Sequence, residues 1–400
     1  MKTVTLFVIF RLCSGTLKVL FFGQTGVEKR ACIDRLARRC LSSAGLPEDP
    51  DHSKSMEYLR IFHVEDEIEV AGDYIAYLDR FNTVHQRTSW NTAWDLISDE
   101  CNADKPKHVF VSLHATCFRK NRFFSVVDID RIRKFQPDSI VTLIDDAHEC
   151  WARIQTREKR RPRGTDLRLR DIFLWRTVEI MAGDFLRDGT TDHYVVATKH
   201  PAEMVRRLIF EQETKRVYAS FPISSTREKP ESKRQIDDFR ISLHKQFATF
   251  DPITIDERIL ATALKSRRKG TKSVKLDNKS RWEPALTEEL SPLQPPTGNL
   301  YPFSIPVEQV EEVTEDIDRQ IEARDYRLIG QAQAVVAYRP NFMQHYARGV
   351  NAELLYASQT CGIPVHVVWN DSEDGQFADS PFGNIGTKHK SVQNAIGAIS

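Results

Sequence analysis

Apolar residues in this chain come in short, nearly unbroken runs separated by amphipathic stretches. Leu17–Phe22 (LKVLFF), His108–Leu113 (HVFVSL) and Ser139–Ile144 (SIVTLI) are runs of the kind that form strands buried on both faces of a parallel sheet. Helical stretches alternate with them. Ala31–Leu41 follows the first run, and Asp128–Phe135 stops ahead of Pro137. Tyr194–Ala197 reads as a last strand and Pro201–Glu213 as the helix after it. The pattern then restarts. Val217–Phe221 is a strand, Glu231–Phe247 a helix, and Glu308–Gly330 a helix with acids early and arginines late, as the helix dipole prefers. Ala334–Tyr338 and Val365–Trp369 are strands, with a helix Asn351–Thr360 between them that Gly362 and Pro364 close. Strands alternating with helices twice over predict two Rossmann-like α/β domains with mostly parallel sheets, at 17–212 and 213–400. Within the second, residues 265–300 are rich in Lys, Arg, Ser, Pro and Gly and read as a long mobile insertion.

Composition narrows the classes. A chain of 400 residues is long enough for two or three cores, and its net charge of +1 argues against a general nucleic-acid or membrane-surface binder. Seven cysteines without a C-x-x-C pair read as reduced thiols in a cytoplasmic protein, not as a disulfide framework or zinc site. The histidines show no metal-ligand spacing, so no metal is expected, and His193 and His200 fall in a polar stretch that reads as surface. The apolar run within Met1–Phe10 is short for a leader and no small-residue cleavage site follows, so it reads as a strand or an extension of the first domain.

Two constellations carry chemistry. The first follows the strand Leu17–Phe22. A phosphate loop needs glycines that aim backbone N–H groups at an anion, a lysine for the outer phosphates and a hydroxyl for magnesium. Gly23, Gly26 and Lys29 fit that plan, whereas Glu28 and Arg30 stand where glycine and Ser/Thr belong. The segments VFVSLHAT (Val109–Thr116), Gln136-Pro137-Asp138 before a strand, and the basic stretch after Trp151 resemble adenylate-kinase-like P-loop kinases with a degenerate loop. That resemblance implies phosphate contacts from Lys29, Arg153 and Arg157, and ATP with magnesium as ligands of the first domain.

The second constellation is a set of residues suited to breaking a bond between a sugar and a base. An oxocarbenium-like transition state calls for a carboxylate at the anomeric carbon and an acid for the leaving base. Asp325 lies on a helix before a buried strand, and Glu353 lies in the first turn of the helix after it, behind Arg348-Gly349-Val350. With the strand Val217-Tyr218-Ala-Ser-Phe at its start, this half resembles the nucleoside 2-deoxyribosyltransferases and their nucleotide N-hydrolase relatives. The resemblance implies Glu353 as nucleophile, Asp325 as aid to base departure and Tyr218 beside the sugar. It further implies Gly349, Arg227 and Asn351 as substrate contacts, no required cofactor, a nucleoside or nucleotide substrate, and a homo-oligomer. The alternatives are a nucleotide kinase with a non-catalytic second domain, or a nucleotide sensor without catalysis.

Overall fold

The structure, a computed structural model, describes residues 16–70, 83–119, 121–160, 167–227, 229–277, 287, 289–294, 300–340, 348–369 and 385–400. The N-terminal run and much of the 265–300 insertion lie outside them. In the first unit the strands are β1 (Leu17–Phe22), β2 (Leu59–His63), β3 (His108–Ser112), a hairpin of β4 (Cys117–Arg119) and β5 (Arg122–Phe124), β6 (Ser139–Ile144) and β7 (Asp192–Ala197). The second unit carries β8 (Arg216–Ser220), β9 (Ala248–Phe250), a hairpin of β10 (Ser273–Leu276) and β11 (Phe303–Pro306), β12 (Ala334–Tyr338), β13 (Val365–Val368) and β14 (Thr387–His389).

Each unit is built on one five-stranded sheet, and every pairing within these two sheets is parallel. The strand orders are β2-β3-β1-β6-β7 and β14-β13-β12-β8-β9. This is the two-sheet α/β architecture that the alternating pattern predicts. In both sheets the chain first builds one side and then reverses to the other. The reversal falls beside β1 in the first sheet and between β8 and β12 in the second. Such reversals splay the connecting loops apart at the carboxyl ends of the strands and leave a crevice there.

Local chemistry sets the elements. The helix Ile129–Phe135 is capped by the Asp128 side chain, which accepts the N–H groups of Asp130 (3.1 Å) and Arg131 (3.2 Å), and it stops at Gln136 in a left-handed conformation before Pro137. The helix Val307–Ile329 buries Val310, Val313, Ile317 and Leu328 along one stripe at helical spacing. Arg324 and Asp325 are buried with that stripe, a polar intrusion into a packing face.

The units share one core. A single apolar cluster runs from Val19, Phe110 and Val196 of the first sheet to Phe250, Val335 and Val367 of the second. Polar groups lock the seam. Gln331 pairs with the backbone of Val195 on edge strand β7 through both amide atoms (2.5 and 3.1 Å), and Arg327 binds Asp184 at 2.6 Å.

Three expectations need correction here. His193 and His200 are buried, not surface residues. His193 lies between Thr142 Oγ1 (2.8 Å) and Asp184 (2.8 Å), and His200 Nε2 accepts the Asp251 N–H (3.0 Å). Their polar sequence neighbourhood is that of a seam between two units. The 265–300 stretch is not a loose insertion throughout. Val274 and Leu276 are buried in the β10–β11 hairpin, and the N–H groups of Leu293 and Gln294 bond to His200 and Thr198 carbonyls (2.7 Å each). A few apolar residues in a polar stretch suffice to dock it. Finally, Asp146, His148 and Glu149 bring three ligand-type atoms within 4.8 Å of one another, despite the absence of a metal-like spacing in the sequence. Two cations already lie among these carboxylates: Lys199, which pairs with Asp146 and lies 3.2 Å from both Asp145 and Glu149, and Arg153, which pairs with Asp145 and Glu149.

Candidate active site

At the reversal beside β1, the residues expected to cradle phosphate face inward instead. Lys29 is buried and donates to the Gly23 carbonyl at 2.7 Å and to the His114 ring at 2.9 Å. The Gly23 N–H, which a phosphate would have taken, donates to the Glu179 carboxylate at 3.1 Å. Glu179 also accepts the N–H of Ala115 (3.3 Å), the N–H of Thr116 (2.8 Å) and its hydroxyl (2.7 Å). Burial draws the Lys29 ammonium below its ordinary pKa and raises Glu179, each partly offset by the other's charge. Gly26 has φ 92°, and a Cβ there would meet the Cys150 carbonyl at 2.9 Å, so the loop is packed against the helix Ala147–Arg160. Arg153 is likewise internal. It binds Asp145 (2.7 Å), Glu149 (2.8 Å) and the Gly26 carbonyl (2.7 Å), while Arg157 pairs with Glu28 at 2.5 Å. Arg30 pairs with Asp66. The anion site is thus filled by the chain's own carboxylate; Arg153 and Arg157 are engaged with acids of the chain, and Lys29 with the Gly23 carbonyl and His114.

The crevice between β8 and β12 is open. A cavity of about 490 Å³ lies at its mouth, within the ~300–1,000 Å³ usual for small-molecule sites. The loop after β8 supplies Phe221 and Arg227, the loop after β9 supplies Asp256 and Glu257, the long helix supplies Asp325, and the helix Arg348–Leu355 supplies Gly349 and Glu353. Glu353 keeps partial exposure toward the cavity, and its carboxylate accepts the Ser220 hydroxyl at 2.5 Å. Ser220 is the last residue of β8, so the strand end itself holds the acid. Burial, reinforced by the negative charge of Asp325, pushes the Glu353 carboxyl up to about 8, and the hydroxyls of Ser220 and Tyr218 pull the other way. Asp325 is also raised by burial, against the bidentate grip of Arg324 (3.0 and 2.8 Å).

Four of the six residues expected in this half come together around the cavity, in altered relations. Glu353, Asp325, Gly349 and Arg227 line it, with Arg227 paired to Asp256 at 2.7 Å. Tyr218 is fully buried beneath Glu353, not beside the cavity as expected for a sugar contact, so it reaches a ligand only through that carboxyl. Asn351 shares the helix but does not line the cavity, and its buried side-chain oxygen has no hydrogen-bond partner among the described residues. At the 3.6-residue period of an α-helix, Arg348, Gly349, Ala352 and Glu353 share the face toward the crevice and Asn351 falls away from it.

Sequence reasoning missed Ser220, Arg324, Asp256 and Glu257. For Arg324 a signal existed, a charged residue on the apolar stripe of its helix. For Glu257 none did, because its partners are remote in sequence. Right after Glu353 the helix widens into a π-helical turn, Tyr356–Thr360, which sets Tyr356 flat on Tyr326 of the cavity wall, with ring centroids 3.9 Å apart. Turns of this kind recur at functional sites.

No protein-family model matches the chain, and no curated protein matches it. Among solved structures, one from Listeria monocytogenes, assigned as a UDP-N-acetylglucosamine 2-epimerase, aligns over 96% of this chain and 87% of its own. Its sequence identity is 10% and its TM-score 0.20, a likeness that supports no functional argument. The two family resemblances read from the motifs are therefore not upheld. No family model supports either. Short motifs on a common α/β frame were matched without the rest of the family pattern.

Proposed function

We propose that this chain breaks the N-glycosidic bond of a nucleoside or nucleotide in the crevice between β8 and β12, with Glu353 as the attacking carboxylate. The observation that carries this reading is that two carboxyls, Glu353 and Asp325, both raised by burial, face one ligand-sized cavity at a strand-order reversal. The two groups hold one proton between them, and attack proceeds from the arrangement in which Glu353 is the carboxylate and Asp325 carries the proton, against the pull of the Arg324 guanidinium. Glu353 forms a bond to the anomeric carbon as the C–N bond breaks. The bonding pair leaves with the base, and the proton from Asp325 neutralises it. Water or a second base then displaces Glu353 from the sugar. Ser220 orients the carboxyl, the buried Tyr218 hydroxyl favours its ionised form, and the apolar walls at Phe221, Ile255 and Val350 exclude bulk water. The kinase alternative is weakened by the filled crevice of the first sheet, where Glu179 occupies the anion position.

The test is to incubate the purified protein with deoxynucleosides, ribonucleosides, their monophosphates and a nicotinamide dinucleotide, and to separate free base by chromatography. Base release is expected from part of the panel, with Glu353→Gln lowering it by about 10³-fold or more in a protein that still folds cooperatively. Full activity in Glu353→Gln, or no free base from any substrate, would refute the reading.

A further inference from the structure

The wall of the cavity between Asp256 and Glu257 belongs to the second unit, yet the first unit holds it. The Asp256 N–H donates to Asp146 Oδ1 at 2.7 Å. Glu257 is fully buried, and its carboxylate accepts Arg176 Nη1 at 2.6 Å, Nη2 at 3.3 Å and the Ala147 N–H at 3.3 Å. Arg176 is itself buried on the helix Leu169–Leu186 of the first unit, with its guanidinium over the Phe173 ring. From the second unit, Arg324 clamps the same segment by donating to the Ile255 carbonyl (3.0 Å), while its other edge holds Asp325. The charged groups facing Glu257 are thus Arg176 on one side and Arg324 with Asp325 on the other.

We propose that Arg176 is a positioning residue for the cavity of the second unit, fixing Glu257 so that Arg324 remains committed to Asp325 beside Glu353. This rests on the N-glycosidic reading for its chemistry and on the ion pairs for its geometry. With Arg176 in place, the Glu257 carboxylate has a bidentate partner of its own. Without it, a buried carboxylate is left uncompensated, and Arg324 is a remaining guanidinium that feels its charge. Drawing Arg324 toward Glu257 loosens Asp325 and displaces the acid from the departing base. Displacements of this size reduce turnover by up to about 10²-fold with little effect on substrate affinity. The inference also gives the sealed first unit a task, which is to brace the other unit's cavity.

The experiment compares wild type, Arg176→Lys, Arg176→Gln and the double variant Arg176→Gln/Glu257→Gln in base release, with kcat, KM and the pH profile of kcat recorded for each. Arg176→Gln is expected to lose about 10–100-fold in kcat with KM within about threefold. Its pH profile should move by about half a unit or more as Asp325 loses its cation. Arg176→Lys should be intermediate, and the double variant should recover most of the loss because both charges are gone. A double variant as impaired as Arg176→Gln, or an unmoved pH profile with a lowered melting temperature, would overturn the proposal in favour of a purely structural pair. Should no substrate be cleaved, the N-glycosidic reading fails alone. The bracing role is then read from the pH dependence of urea denaturation, with and without Asp325→Asn, in the wild-type and Arg176→Gln backgrounds. An Asp325 contribution that titrates identically in both backgrounds would overturn it.

Discussion

Each of the two parallel sheets places a carboxylate at its strand-order reversal, and the two are treated in opposite ways. Glu179 is surrounded by donors, with two backbone N–H groups and the Thr116 hydroxyl close by, a third N–H from Gly23 and the Lys29 ammonium facing it. Glu353 has a serine and a tyrosine hydroxyl for support, another acid for a neighbour, and open space in front. The first arrangement satisfies a buried charge and closes the crevice. The second leaves a charge under-supported beside a cavity, a state that only a ligand or a reaction repays. The position in the fold is therefore not what makes a site. The balance of donors around the acid decides it.

The sharpest way to break this comparison is to empty the sealed crevice. Glu179→Ala would strand three backbone N–H groups without an acceptor and remove a negative charge that offsets the buried Lys29 ammonium, and is expected to destabilise the fold by about 3–5 kcal/mol in urea denaturation. A loss below about 1 kcal/mol would mean that the carboxylate is not what holds the crevice shut.

Removing the other acid should do the reverse. The folded-state pKa of Glu353 is raised to about 8 from an ordinary value near 4.5, so the folded protein binds an extra proton between those values. The stability this contributes is fully present below about pH 4.5 and disappears as pH rises through about 8. Glu353→Gln, which has no proton to lose, is expected to gain on the wild type as pH is raised from 5 to 9. Melting curves across that range check it, and parallel wild-type and variant curves would contradict the unsupported state of Glu353.

The smallest expected effect concerns the two hydroxyls. Ser220→Ala and Tyr218→Phe each remove a group that favours the ionised form of Glu353, so each should move its titration further upward by a fraction of a unit. In the base-release assay this appears as a rising limb displaced to higher pH. A limb that stays in place would show that these hydroxyls bear on packing alone.

Much of this frame was legible beforehand, and the reasons it was so are local. LKVLFF, SIVTLI and AVVAY are central strands, buried on both faces, so their runs are continuous and announce themselves. The edge strands Ala248–Phe250 and Thr387–His389 are three residues each and carry no such signal. Asp325 and Glu353 could be placed on facing elements from the order of strands and helices. What the residues around Gly23 would do could not, because Gly23, Lys29 and Arg153 suit a phosphate as well as they suit Glu179, Asp145 and Glu149. The choice for Gly23 depends on Glu179, 156 positions away along the chain. Remoteness in sequence also hid Arg176 from Glu257, separated by 81 positions.

The apolar cluster that runs without a break from the first sheet into the second has a consequence for how this chain can be handled. Its two halves look like interchangeable modules when drawn as strand orders, but neither is portable. A cut between Phe210 and Arg216 would leave Phe250 and Val335 facing water on one piece and Val196 and Val205 on the other, with Glu257 and Arg176 orphaned on opposite sides. Recombination at this seam with a foreign α/β half would have to supply not only a complementary apolar surface but also a guanidinium at one particular place.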